Sequence, residues 1–407
     1  MGRKIKIGIL RETKKPPDRR VPFTPEQITT LRKTYPGTEF YIQPSDIRCF
    51  SDEEYKAIDV PITEDLGFCD LLIGIKEVDP ATFIDGKTYM FFAHVGKRQI
   101  HNRDMFINMA EKGITLIDYE YLVTDTGERI VAFGRWAGII GAYNGLRAYG
   151  LRTKRYNLKP AHQCRDLKEM WSLLKNADPE PGLKIILTGE GRVAGGVVET
   201  LSKCRIKQVT PEDFLTREFG YPVFCQIGPQ YYTSHRNGYS FSFTHFMSYP
   251  AEYHSSFLPF ARAADILITG HYWDPGSPVL FTKEDMKDPD FRISVIADVT
   301  CDVNGSVPST IRTSSISDPF YGYDPVTGSE DPQFWKQNVV TVMAVDNLPG
   351  ELPRDASVDF GRQLMKKVID ELITGSSSPT IDRATILREG KLSPKFSYLS
   401  DYLNFNI

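Results

Sequence analysis

The chain is poor in the features that commit a protein to a membrane, a disulfide scaffold or a nucleic acid. Its six cysteines, Cys49, Cys69, Cys164, Cys204, Cys225 and Cys301, form no C-x-x-C pair and have no compact histidine cluster beside them. That pattern suits buried thiols in a reducing compartment and gives no metal site. No apolar run approaches the roughly 20 residues of a spanning helix. The stretch Met1-Gly-Arg-Lys-Ile-Lys-Ile-Gly-Ile-Leu10 has no h-region or cleavage site of a secretory signal. A formal net charge of −3 over 407 residues lacks the one-sided basic balance of a nucleic-acid or anionic-membrane partner. Internal repeats and low-complexity segments are missing too. What remains is a cytoplasmic globular protein, a monomer or small homo-oligomer, with small molecules as its expected partners.

The length allows two or three domains. Apolar runs alternate with helical patterns from the start: Lys4 to Leu10, Phe40-Tyr-Ile-Gln43, Asp70 to Lys76, Thr88 to His94 and Ile114 to Asp118 read as strands. Thr24-Pro-Glu-Gln27 reads as a helix start, with Thr24 as cap, Pro25 at the first helical position and Gln27 three residues after the cap. Such alternation predicts parallel α/β sheets. From Ala137 to Leu151 small and apolar residues recur at helical spacing, and a second α/β series begins at Lys184. The architecture expected is α/β: two Rossmann-like doubly wound domains with an interdomain cleft. The first comprises residues 1–137 plus 353–407 and is completed by a C-terminal helix, Ala356 to Leu372. The second comprises 138–352, with an aromatic-rich insertion at about 216–258. Gly375-Ser-Ser-Ser-Pro379 reads as a linker.

The second series opens on Ile185-Ile-Leu-Thr-Gly-Glu-Gly-Arg-Val-Ala194. A strand, a Gly-x-Gly turn at Gly189 and Gly191, and a helix starting Arg192-Val193-Ala194 form the order needed for dinucleotide binding. The second glycine admits a pyrophosphate to the backbone, and the helix offers it N–H groups. The acid that normally takes the adenosine ribose is absent after the next strand. Lys203, Arg205 and Lys207 stand there instead, which favours NADP(H) with NAD(H) as the alternative; a solvated basic helix end is the plainer reading, and Glu212 or Asp213, a few residues on, is the other candidate for the ribose after a longer loop.

Polar residues also end the strands of the first series: Lys76, His94 followed by Lys97, and Asp118 with Glu120, while Arg11, Arg19 and Arg20 flank the first loop. Ligands of open α/β sheets lie at such strand ends. An arginine that grips a carboxylate and a lysine–histidine pair that exchanges protons suit redox chemistry on an amino acid. His235, His245 and His254 read as surface or packing residues.

Several blocks carry a resemblance: Lys76-Glu77, Phe92-Ala-His94, Asp118-Tyr-Glu120, Val131 to Gly138, and Asp346-Asn-Leu-Pro-Gly-Glu-Leu-Pro-Arg354. They resemble the alanine dehydrogenase/saccharopine dehydrogenase superfamily. Ile42-Gln-Pro-Ser45, Tyr249-Pro-Ala-Glu-Tyr253, Gly270-His-Tyr-Trp273 and Ser317-Asp-Pro-Phe320 look most like its lysine–2-oxoglutarate reductase domains, the lysine-forming saccharopine dehydrogenase branch. The resemblance implies reductive condensation of lysine with 2-oxoglutarate through an imine, using NAD(P)H. By position it makes Lys76 and His94 the acid/base pair and Arg20 a carboxylate ligand. Glu77 and Glu120 tune the pair; Lys97 is a further substrate-binding candidate, and Arg135, which departs from the aromatic or amide of these relatives, is a candidate second carboxylate ligand. Asp346 and Leu348 lie near the nicotinamide. Alanine dehydrogenase and a catalytically silent NAD(P)-binding relative are the competing readings.

Overall fold

The computed structural model describes residues 5–375 and 378–404. It divides into two compact units, Met1–Ala132 with Pro353–Ile407, and Phe133–Leu352. The first four residues of the N-terminal stretch, and residues 376–377 of the linker, lie outside the described residues.

In the first unit, five short apolar segments become strands: β1 (Ile5–Ile9), β2 (Thr38–Ile42), β3 (Leu71–Lys76), β4 (Thr88–Phe92) and β5 (Thr115–Asp118). β3 is buried along its whole length except at Lys76, as a parallel strand covered on both faces must be. The helix Pro25–Thr34 starts as its sequence dictates. The Thr24 side chain accepts from the Gln27 N–H, and the Gln27 side chain reciprocates at the cap. Such a cap contributes about 1 kcal/mol.

The second unit is built around a helix, Gly134–Thr153, and an eight-stranded sheet. Its strands are β6 (Lys184–Thr188), β7 (Lys207–Gln208), β8 (Val223–Ile227), β11 (Ile266–Thr269), β12 (Val295–Asp298), β13 (Phe320–Asp324), β14 (Ser329–Asp331) and β15 (Val340–Met343). Between β8 and β11 lies an antiparallel pair, β9 (Thr233–His235) and β10 (Tyr253–Ser255). The helix Gly134–Thr153 packs on the helix Arg192–Lys203, where a Cβ on Gly138 or Gly196 would collide with the other helix's backbone. Alternation along the strands separates two faces. Ile186, Leu267 and Ile296 join Phe214, Phe257 and Phe260 in one core, while Ile268 and Ala297 meet the long helix at Gly145.

The sheet runs β14-β13-β15-β12-β11-β6-β8-β7. Two sequence expectations change here. The aromatic-rich stretch at 216–258 is not all an insertion, because Val223–Ile227 is the strand paired with β6. Its apolar run carries no alternation to distinguish it from the aromatic residues around it. And β7, the strand that follows the helix Arg192–Lys203, is an exposed two-residue edge beyond β8.

The chain then returns to the first unit. The expected single helix is two, Pro353–Lys367 and Ile369–Thr374. Gln27 donates to the Val358 carbonyl, and the Val21 N–H to Ser357 Oγ. The tail adds β16 (Thr385–Arg388), antiparallel to β5, and β17 (Lys391–Leu392), completing the order β17-β16-β5-β4-β3-β1-β2. Among the described residues, no helix is long and apolar enough to cross a membrane.

Candidate active site

The first unit gathers its ionisable groups at the C-terminal ends of β3, β4 and β5. β3 delivers Lys76, with Glu77 immediately after it. Glu12, buried, accepts the Ile75 and Lys76 N–H groups at 2.6 and 2.9 Å. Burial and the neighbouring Asp18 raise Glu12 to about 8, against these two bonds. Lys76 is lowered to about 8, by burial first and then by the charges of Arg20 and Lys14. A lysine so placed exchanges its proton near neutral pH.

His94 follows β4 in the left-handed region, at φ +53, an uncommon conformation for a residue with a side chain. Its ring stacks on Phe92 at 5.9 Å and 17°. Its Nδ1 stands 3.7 Å from Glu77 Oε2, while Lys14 Nζ is 2.7 Å from Glu77 Oε1. Burial alone would raise Glu77, but the facing His94 and Lys14 reverse that and hold it at about 2. Burial lowers His94, opposed by Glu77, so the imidazole is neutral at pH 7. The structure thus brings Lys76, Glu77 and His94 into one neighbourhood containing a fixed carboxylate, a neutral imidazole and a readily deprotonated amine.

The other candidates of this unit divide. Glu120 pairs with Arg129 at 2.5 Å. Lys97 is exposed in the turn Val95–Lys97. Arg20 is 2% exposed and grips Asp18 through Nε and Nη2 at 3.0 and 2.5 Å. The carboxylate it holds here is therefore a protein one, two residues upstream, rather than the open substrate ligand expected. Arg20 acts on Lys76 as a fixed positive charge. Sequence reasoning passed over Glu12 and Asp18, since a lone acid in a loop carries no signal until the fold buries it. Asp118 has a similar setting: it accepts from the Ala93 and Glu120 N–H groups at 3.2 and 2.8 Å, and burial raises it to about 7.

In the second unit, β6 runs into the glycine turn. Gly189 sits at φ +97, where a Cβ would lie 2.5 Å from the Gly270 carbonyl oxygen. Gly191 caps the helix Arg192–Lys203 with no side chain bonded to it, and a Cβ there would meet open space. Arg192 is exposed, Val193 half-buried and Ala194 fully buried. Open space at the glycine and an uncapped helix start fit a pyrophosphate, so these residues would hold a dinucleotide. Thr188 Oγ1 and His271 Nδ1 are 2.7 Å apart, and burial pushes His271 down to about 4. This neutral histidine beside the turn was found by the fold alone.

Two expectations find no support in this unit. Lys203 ends the helix with its ammonium over Trp171, and Lys207 lies over Tyr221; Arg205 turns the chain between them at φ +57. All three lie at the far end of the helix or the start of β8, away from the turn. Arg135 is bonded to Glu199 at 2.9 and 2.7 Å, joining the two packed helices instead of awaiting a substrate. Asp346 is exposed just after β15, while Leu348 is buried. His235 Nδ1 accepts the Asn237 N–H, which puts the proton on the Nε2 that faces Glu252. Of the trio His235, His245 and Glu252, His235 and Glu252 thus brace the β9–β10 pair, His245 Nδ1 lies 3.2 Å from the Tyr253 hydroxyl, and His254 is exposed.

A glycine turn opening a helix in the second unit, and strand ends rich in proton-transfer groups in the first, sit on two mostly parallel sheets of an α/β, Rossmann-like fold. Residues 8–140 match the family described as alanine dehydrogenase/PNT, N-terminal domain, and the chain resembles the alanine dehydrogenase/saccharopine dehydrogenase superfamily along its length. It is 28% identical to alpha-aminoadipic semialdehyde synthase, mitochondrial, of Mus musculus, over 94% of this chain and 46% of that protein. The chain thus spans about half the length of that relative. It is 25% identical to saccharopine dehydrogenase (NAD(+), L-lysine-forming) of Yarrowia lipolytica, over 94% of this chain and 96% of that one. A solved L-alanine dehydrogenase superposes with a TM-score of 0.67 at 16% identity, covering 98% of this chain and 100% of that one. That likeness is one of fold. Dehydrogenase relatives imply a nicotinamide cofactor.

Proposed function

We propose that the protein is an oxidoreductase of the saccharopine dehydrogenase (lysine-forming) type, which condenses an amino acid's amine with a 2-oxo acid and reduces the resulting imine. The observation that carries this reading is the Lys76–Glu77–His94 grouping, together with relatives that bear the names of that reaction. Its two units take different roles, proton transfer in the first and nucleotide binding in the second. A bound nicotinamide supplies the hydride.

Imine formation needs a proton delivered to the departing oxygen and another removed from nitrogen, in separate steps. Lys76, poised at about 8, holds a proton at its Nζ at neutral pH and gives it up readily to an oxygen leaving as water. His94, neutral because it is buried, receives a proton at the nitrogen not facing Glu77. Glu77, kept ionised, orients that imidazole and stabilises the imidazolium once formed.

The test is oxidation of NADH or NADPH with lysine plus 2-oxoglutarate, against pyruvate plus ammonium. Turnover with the first pair is the expected result. Turnover with the second pair alone would transfer the chain to alanine dehydrogenase chemistry.

A further inference from the structure

We infer that Glu190, the residue between the two glycines of the turn, is the carboxylate that selects NAD(H) over NADP(H), a role that rests on the nicotinamide reading above. In a Rossmann unit the acid that accepts the adenosine ribose hydroxyls stands at the end of the strand beside the first one. Here that neighbour is β8, because β7 is displaced to the sheet edge. Thr188, the last residue of β6, is in register with Ile227, the last of β8. The turn is bound to this strand end twice: the Gly189 N–H donates to the Ile227 carbonyl at 2.8 Å, and Gln226 Nε2 donates to the Gly189 carbonyl at 2.9 Å.

Gly228 follows Ile227, and a Cβ on it would lie 2.5 Å from Glu190 Oε2. The Glu190 carboxylate therefore rests on the end of β8 and is exposed to solvent. Glu212 and Asp213 follow β7, in the first turn of the helix Pro211–Thr216, whereas the acid at the end of β8, the strand beside β6, is supplied by the glycine turn itself. Vicinal ribose hydroxyls donate to such a carboxylate, whereas a 2′-phosphate offers it no donor and brings like charge.

The basic residues expected to receive that phosphate stand elsewhere. Lys203 closes a helix of 12 residues, so it lies about 16 Å from the helix start at 1.5 Å per residue. Lys207 pairs with Val223, four residues before Ile227, or about 13 Å down the sheet.

The experiment is equilibrium titration of the protein with NADH and with NADPH, read by nicotinamide fluorescence without substrates. The native protein is expected to bind NADH more tightly. Glu190→Gln and Glu190→Ala should each move the NADPH-to-NADH affinity ratio by about tenfold toward NADPH. Lys203→Ala, Arg205→Ala and Lys207→Ala should leave it unchanged. Native preference for NADPH, or an unmoved ratio in both Glu190 variants with melting unchanged, overturns the inference. Failure to bind either nucleotide overturns instead the nicotinamide reading beneath it.

Discussion

Both units hold mostly parallel sheets whose strand ends could serve a ligand, yet they furnish those ends in opposite ways. In the first, β3 and β5 end in Lys76 and Asp118 and β4 runs on to His94, and burial shifts the proton affinity of all three. In the second, β6 and β8 run directly into Gly189 and Gly228, and backbone geometry dominates. Charges buried side by side make groups that give and take protons. Backbone left open at a helix start makes a place for phosphate. On the proposed reading one sheet does the chemistry and the other holds the nucleotide, so their variants should fail differently.

The widest separation comes from a matched pair. Lys76→Met should cut turnover by about 10²-fold or more while leaving nucleotide titration intact. Gly191→Val should do the reverse to binding, with normal melting, because its φ of −84 and the open space around it tolerate a side chain. If Lys76→Met lost nucleotide affinity as fully as Gly191→Val, the division of labour would collapse.

A pH profile sharpens the same contrast. Lys76 must carry its proton to expel water, so the rate of the reductive direction should fall as pH rises through about 8. Nucleotide affinity should show no inflection there. A reductive rate that stays flat from pH 7 to 9 would falsify the role of Lys76.

Stability should respond in the first unit as well. Asp118 is raised from 3.8 to about 7, so its contribution is complete below pH 4 and is lost as pH rises toward 7. Asp118→Asn should flatten that part of the melting curve against pH by a few degrees. An unchanged slope in the variant would mean Asp118 is ionised throughout.

The smallest effect belongs to Arg135. Its pair with Glu199 is about one-third exposed, so Arg135→Ala should cost only about 0.5–1 kcal/mol of stability. KM for the amino and oxo substrates should not move; a several-fold rise in KM would restore the substrate-binding role that the structure does not support.

Much of this was legible along the chain. β3 could be read from Leu71-Leu-Ile-Gly-Ile because a fully buried strand is a continuous apolar run. The Thr24–Gln27 cap and the Gly189–Gly191 turn are local chemistry, complete within a few residues. Lys76 and His94 could be placed at strand ends for the same reason. β8 escaped because Val223-Phe-Cys-Gln-Ile is bordered by the aromatic residues of the β9–β10 excursion and shows no period that sets it apart. The partners of Arg20 and Arg135 escaped for a different reason: a guanidinium advertises its charge in sequence but not which carboxylate it will meet.

Apolar runs, caps and glycines therefore determined, by themselves, which segments became strands and helices and where backbone would be open to a ligand. Only the tertiary structure decided strand order, and with it whether the end of β7 or of β8 stands beside the glycine turn. It also decided which acids are buried against Lys76 and His94. Local conformation depends on neighbours a few residues away, whereas pairing and proton affinity depend on groups that the chain brings together from far apart.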